Sequence, residues 1–342
     1  MGMNLRDRSA TLFSSYSGAV PGAAFALVKD RELILSIGYG LANLSSSTPV
    51  GASTNFRLAS VTKAFTAMCV LKLVDSGKIN LGDRLSSFIP GLPGYADDIT
   101  MRMMLGHTSG LGDYESDVPE DYQGQVHEDY VVEKVRSLSS TYFPPGSRFQ
   151  YSDTAYVLLG SIVERVSGVP FPRFVEKEIF RPLGMTGSRL FEGDGAKITD
   201  RAYGYTKTGA AFKSNDQSKT SATLGDGCVY SSIDDLVKWD RALNSGKIVS
   251  EGLLEEAFNP GKLNNSLPTE YGFGWFIINR NGIKILHHAG ETAGFQNKFI
   301  RVPEKGIALI ILTNRDSWDL SLKKKPTEAE DTVGLLKYFD LI

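Results

Sequence analysis

The chain has 342 residues, of which 42% are hydrophobic and 22% charged, with 37 Lys and Arg against 39 Asp and Glu. That near-balance, with Lys323–Lys325 as its one dense basic run, excludes the electrostatic footprint of a nucleic-acid binder. Two cysteines so far apart, Cys69 and Cys228, frame neither a disulfide scaffold nor a structural zinc site.

The opening segment, MGMNLRDRSATLFSSYSG, has no apolar stretch of the length that a signal or membrane helix needs. The chain as written therefore reads as cytoplasmic, with a trimmed leader as the open alternative. Residues 22–29 and 32–39 are β-rich runs joined around Asp30 and Arg31, which predicts a hairpin. Residues 61–76 predict a helix with Phe65, Met68, Cys69, Leu71, Leu73 and Val74 as apolar positions and Gly77 as its stop. Cys69 falls in the core there, whereas Cys228, in a glycine-rich turn, is expected to be accessible. Further helices are expected at 127–138, 153–167, 171–180 and 232–245, the last with Ser232 as N-cap. Strands follow at 273–279, 283–288, 296–302 and 307–313, and an amphipathic segment, 326–340, closes the chain as a helix.

Strands at both ends with helices between them predict an α/β (α+β) fold: one mostly antiparallel sheet built from both chain ends, flanked by helices, with an all-helical insertion lobe. The chain is expected to be a single unit of two lobes, about 10–75 with 230–342 forming the α/β lobe and about 76–229 the mainly helical one.

Within that frame, LASVTKAFTA (58–67) sets Ser60 and Lys63 on one face of a helix that begins near Ser60. A serine becomes a nucleophile when a base takes its proton, and a lysine can serve once burial or nearby positive charge lowers its pKa. The spacing alone is unspecific, for Ser321 and Lys324 repeat it in a charged segment where it is expected to do nothing. In RFQYSDTAYVLLGSIVERVSG (148–168), Tyr151 and Asp153 precede an amphipathic helix; the tyrosine can relay a proton or merely pack, and the aspartate can cap. In ILHHAGETAGF (285–295), His287 and His288 point to opposite faces of a strand and cannot share a metal from it. Gly290 and Gly294 would let a substrate backbone approach the strand edge. His107 is expected to be tied into a turn, His127 to lie on the surface, and the stretch from Asp113 to Val126 to line or cover a cleft. No metal is implied, and no organic cofactor, because the glycine-rich turns lack the strand-GxGxxG-helix setting of a dinucleotide site.

Taken in order from about Val20 to Asn314, FRLASVTKAFTA, MMLGHTSGL, FPPGSRFQYSDTAYVLLG, IFRPLGMTGS, GDGCVYSSIDDLVKW, YGFGWF, HHAGETAGF and IALIILTN resemble the serine β-lactamase and penicillin-binding-protein superfamily. The branch is the class C β-lactamase-like one, which also holds D-aminopeptidases, DD-peptidases, esterases and transesterases. The resemblance implies a β-lactamase/DD-peptidase-like fold, Ser60 as acylated nucleophile, Lys63 as its proton partner and Tyr151 as general acid/base. It further implies an oxyanion hole from the backbone N–H groups of Ser60 and Glu291, and a substrate-binding triplet at His288, Ala289 and Gly290 where Lys-Thr-Gly stands in the branch.

Two departures matter: Asp153 stands where class C β-lactamases carry Asn, and His288 where they carry Lys. The first loses an amide donor to a substrate carbonyl, and the second weakens a permanent positive charge that would meet a substrate carboxylate. The expectation is a serine hydrolase acting through a covalent acyl-enzyme on small-molecule or peptide substrates (esters, amides or D-amino-acid peptides), with weak β-lactam hydrolysis. A penicillin- or peptidoglycan-binding sensor without turnover, and an acyltransferase, stay open as alternatives.

Overall fold

A computed structural model describes residues 3–193, 196–322 and 327–342. The lysine run Lys323–Lys325, with Lys324 of the second Ser-x-x-Lys, and Pro326 at the start of the expected last helix lie outside the described residues.

A six-stranded antiparallel sheet runs in the order Phe276–Arg280, Ile283–Thr292, Phe295–Val302, Ile307–Thr313, Ala23–Lys29 and Glu32–Tyr39. Its two halves join where Ala23–Lys29 pairs with Ile307–Thr313, Phe25 opposite Ile311. Both strands are buried on both faces, which is why IALIILT reads as an unbroken apolar run and not as an alternation. One face, with Phe25, Leu27, Ile300 and Ile311, packs on the helices Leu5–Leu12 and Glu328–Tyr338. The other, with Ala24, Ala26, Phe299 and Ile310, packs on the helices Thr62–Asp75 and Ile233–Leu243 and the region between them.

The helix Asp153–Ser167 starts at Ser152, whose Oγ accepts from the Ala155 N–H, and stops at Gly168 with φ +70°. Ser232 caps Ile233–Leu243 in the same manner. The stretch expected to be all helical also carries strands: Arg189–Leu190 joins Val229–Ser231 and Phe56–Arg57 in a small sheet, and Tyr205–Thr208 pairs with Ala211–Ser214. Those strands are two to four residues long, and the Tyr205–Ser214 hairpin is mostly polar, too little pattern to register in the sequence. The strand expected from 273 begins at Phe276, because Gly272 to Trp275 is a turn, with the Gly272 N–H donating to the Trp275 carbonyl. Ile283–Thr292 runs four residues past its expected end, since the ladder with Phe295–Val302 continues to Thr292 opposite Phe295. Cys228, expected to be accessible, is fully buried and donates to the Leu224 carbonyl. Among the described residues no helix is long and apolar enough to cross a membrane.

Arg301, fully buried on the sheet, donates from Nε to Asp240 Oδ1 (2.6 Å) and from Nη2 to Asn244 Oδ1 (2.9 Å), which pins the Ile233–Leu243 helix to the sheet. Asp240→Asn leaves that guanidinium without its counter-charge and is expected to cost roughly 3–5 kcal/mol of stability, read by urea denaturation. A loss within the error of the measurement would refute the assignment.

Candidate active site

Ser60 lies in a single tight turn, Ala59–Val61, that leads into the helix Thr62–Asp75. Ala59 holds φ +49°, a left-handed conformation that an alanine adopts only under constraint. The constraint is visible on three sides. Thr62 Oγ1 accepts from the Val229 N–H, Thr66 Oγ1 donates to the Gly225 carbonyl, and Asn297 Nδ2 donates to the Arg57 carbonyl. On the fourth side stands Gly290, where a Cβ would come within 2.0 Å of the Leu58 carbonyl oxygen. The room left by Gly290 is therefore filled by the chain's own Ser60 turn. Gly294 is likewise filled, by the Asn215 carbonyl at 2.1 Å, which corrects the expectation that these glycines make room for a substrate backbone.

Lys63 is completely buried, and its ammonium donates to Ser60 Oγ at 3.1 Å and to the Asp226 carbonyl at 2.9 Å. It also contacts Asp153 Oδ1 directly as an ion pair. Burial disfavours the charge, but Asp153, Tyr151 and Asp226 outweigh it and raise the lysine's pKa above its ordinary value. The expectation of a lysine made basic by a lowered pKa is thus reversed: in the resting site Lys63 is an ammonium. The helix that carries it packs against Asp153–Ser167, so the face shared by Ser60 and Lys63 meets Asp153 at the neighbouring helix's first residue.

Tyr151 places its ring 5.0 Å from Lys63 Nζ and stacks on Phe276. Its buried hydroxyl makes no well-aligned hydrogen bond, and burial raises its pKa while the nearby Lys63 and Ser60 pull it down. His107, at φ +55°, is structural: Nδ1 accepts from the Ser152 N–H and its carbonyl accepts from the Gln150 N–H, which fixes the segment that bears Tyr151. His127 is exposed, as expected.

His288 and His287 face opposite sides, as the strand period requires: His287 meets Glu328 at 3.2 Å on the side of the last helix. His288 faces the serine side and lies 2.6 Å from the Ala289 carbonyl through Nδ1 and 2.9 Å from the Tyr271 hydroxyl through Nε2. A carbonyl only accepts, so Nδ1 carries the proton and Nε2 accepts from Tyr271. Burial and then Lys63 lower the His288 pKa to about 4, so the ring is neutral at pH 7. Glu291, opposite Gln296 in the ladder, turns its side chain to solvent.

Three residues of the site were not singled out from sequence. Asp113, from the stretch expected to line the cleft, sits beside Asp153; burial and then that neighbour push its carboxyl up to about 7. Asp226 is buried, accepts from the Tyr114 hydroxyl at 3.2 Å and leaves Oδ1 unpartnered. Tyr271 belongs to the YGFGWF segment, but its role is set by a partner 17 positions away. Among the described residues no group of three or more His, Cys, Asp or Glu is placed to hold a metal ion. The chemical sum is a hydroxyl, an ammonium, a phenol and three carboxyl groups around one small volume, with a neutral imidazole opposite.

Residues 6–333 match the Beta-lactamase family, and the chain belongs to it. Penicillin-binding protein 4* of Bacillus subtilis (strain 168) is 30% identical over 338 residues, 92% of this chain and 73% of that protein. The crystal structure of penicillin binding protein from Bacillus halodurans is similar with a TM-score of 0.79 at 25% identity, covering 98% of this chain and 99% of that one. That of D-amino acid amidase from Ochrobactrum anthropi SV3, complexed with D-phenylalanine, is similar with a TM-score of 0.76 at 25% identity, again over 98% and 99%.

Burial and then Asp153 push the Asp226 carboxyl from its ordinary 3.8 up to about 7, Lys63 pulling the other way. A raised pKa in the fold means that its contribution is fully present below 3.8 and is lost as pH rises through about 7. Asp226→Asn keeps an acceptor for Tyr114 and removes that dependence. In thermal melts at pH 4, 6 and 8 its advantage over the parent is therefore expected to grow with pH and then level off; an advantage that shrinks with pH would contradict the burial argument.

Proposed function

We infer that this β-lactamase family member is a serine hydrolase that works through a covalent acyl-enzyme on Ser60. The observation that carries the reading is the 3.1 Å hydrogen bond between Ser60 Oγ and the fully buried Lys63 at the start of a long buried helix. A lysine held in that position is within reach to exchange a proton with the nucleophile. Ser60 is the nucleophile, Lys63 its proton partner, and Tyr151, whose buried hydroxyl is still unpartnered, the acid that meets the leaving group. The N–H groups of Ser60 and Glu291 form the oxyanion hole; no described side chain or loop backbone accepts from the Ser60 N–H.

The substrate class follows from charge. Asp153 and Asp226 bear on one buried ammonium, and His288 is neutral, so a carboxylate beside the scissile bond meets no free cation among the described residues of the site. The acyl donors are esters, amides or D-amino-acid peptides that lack a carboxylate there, and His288, Ala289 and Gly290 line their site. The relative named as a D-amino acid amidase supports the amide of an amino acid as a substrate to test early. β-Lactams, with their carboxylate, are slow substrates at best.

The test follows nitrophenolate release from p-nitrophenyl butyrate and ammonia release from D-phenylalanine amide, with intact-mass spectrometry of acid-quenched samples. Ser60→Ala is expected to lower turnover by about 10⁴-fold or more and to abolish the adduct. Ser321→Ala is expected to change neither, because the Ser321 hydroxyl bonds Ser14 at 2.8 Å on the surface. Activity that survives in Ser60→Ala would overturn the reading; an adduct without turnover would favour the sensor.

A further inference from the structure

We propose that Asp153 is the proton acceptor behind Lys63, so that Ser60, Lys63 and Asp153 act as one relay during acylation. The inference rests on the serine-hydrolase reading above and adds the group that makes the lysine competent.

A buried ammonium cannot take a proton from serine until it has given one away. Lys63 Nζ touches three groups: Ser60 Oγ, the Asp226 carbonyl and Asp153 Oδ1. A backbone carbonyl does not hold a proton at neutral pH, and the serine is the donor. Of the three only the Asp153 carboxylate can receive. Tyr151 lies close to both Lys63 and Ser60, but its neutral phenol carries its own proton, and burial holds its pKa above the ordinary value, so it is not the resting acceptor. Asp153 is also the position at which the class C pattern has an amide, which can accept a hydrogen bond but not a proton. The Asp153 side chain keeps 16% of its surface open, and Asp113 lies beside it, its carboxyl held protonated up to about pH 7, as a neighbour able to donate to the carboxylate.

The step balances. As the Ser60 Oγ–carbon bond forms and the carbonyl π pair moves to oxygen, the Oγ proton passes to Nζ while an Nζ proton passes to Asp153 Oδ1. Lys63 remains an ammonium throughout; the negative charge leaves Asp153 and appears on the oxyanion. When the oxyanion's pair re-forms the carbonyl and the bond to the amine or alkoxide breaks, the leaving group takes a proton from the Lys63 ammonium, directly or through the Tyr151 phenol that Lys63 re-protonates, and Asp153 returns its own proton to the lysine.

The experiment measures single-turnover acylation by p-nitrophenyl butyrate, with KM and melting temperature, for the parent, Asp153→Asn and Asp153→Glu. Loss of a proton acceptor is expected to slow acylation by Asp153→Asn about 10²- to 10³-fold, with KM nearly unchanged, and Asp153→Glu is expected to recover most of the rate. An Asn variant that acylates as fast as the parent, or faster, overturns the relay while leaving the hydrolase reading intact. So does a Glu variant no faster than Asn when both melt like the parent, because the position would then need shape and not an acceptor. A parent that forms no adduct on Ser60 overturns both.

Discussion

A fully buried ammonium beside the carboxyl groups of Asp153 and Asp226 is the constraint around which this molecule is organised. Taking Lys63 out of water is unfavourable by several kcal/mol unless partners replace the hydration shell. Each partner comes from a different segment: Ser60 from the turn before the helix, Asp153 from the start of the second helix, and the Asp226 carbonyl from the short turn 224–227. The close packing of the two helices, and the passage of the Ser60 turn over Gly290, are what bring these segments within hydrogen-bond reach. A site held this way is preorganised, because no one of the three segments can shift without leaving the ammonium unpaired.

Much of the fold was legible from local signals. The hairpin Ala23–Tyr39, the helix Thr62–Asp75 with its stop at Gly77, and the helix Asp153–Ser167 under its Ser152 cap all announce themselves within a window of a few residues. The Ser60–Lys63 pair was legible because it is a helical spacing. What was not legible depends on residues distant in the chain. Lys63 reads as a lysine that burial could make basic until Asp153, 90 positions on, is seen beside it. Asp113 and Asp226 carry no signal at all before folding joins them to Asp153. The glycines at 290 and 294 showed that something must come close, but only the folded chain says that it is Leu58 and Asn215 rather than a ligand.

Tyr271 and His288 show how a buried polar pair is held without charge. The tyrosine donates to one ring nitrogen and the Ala289 carbonyl accepts from the other, while burial and then the Lys63 ammonium keep a second proton off the ring at pH 7. His288 is thereby an uncharged member of an aromatic cluster with Tyr151 and Phe276.

The sheet has a consequence for how the chain acquires its structure. Its central pairing joins residues 23–29 to 307–313, so the first hairpin emerges from synthesis long before the strand that completes its far side exists. Pairings of such sequence separation form slowly, and until they do, the open edge of Ala23–Lys29 and its apolar faces are exposed to any other chain nearby. The helices between the two halves can collapse early around their own core, yet the Ser60 turn packs against the late-forming strand Ile283–Thr292 at Gly290. The Ser60 turn is therefore set in place only when the sheet closes, and a partly folded chain lacks the assembled Ser60–Lys63 pair.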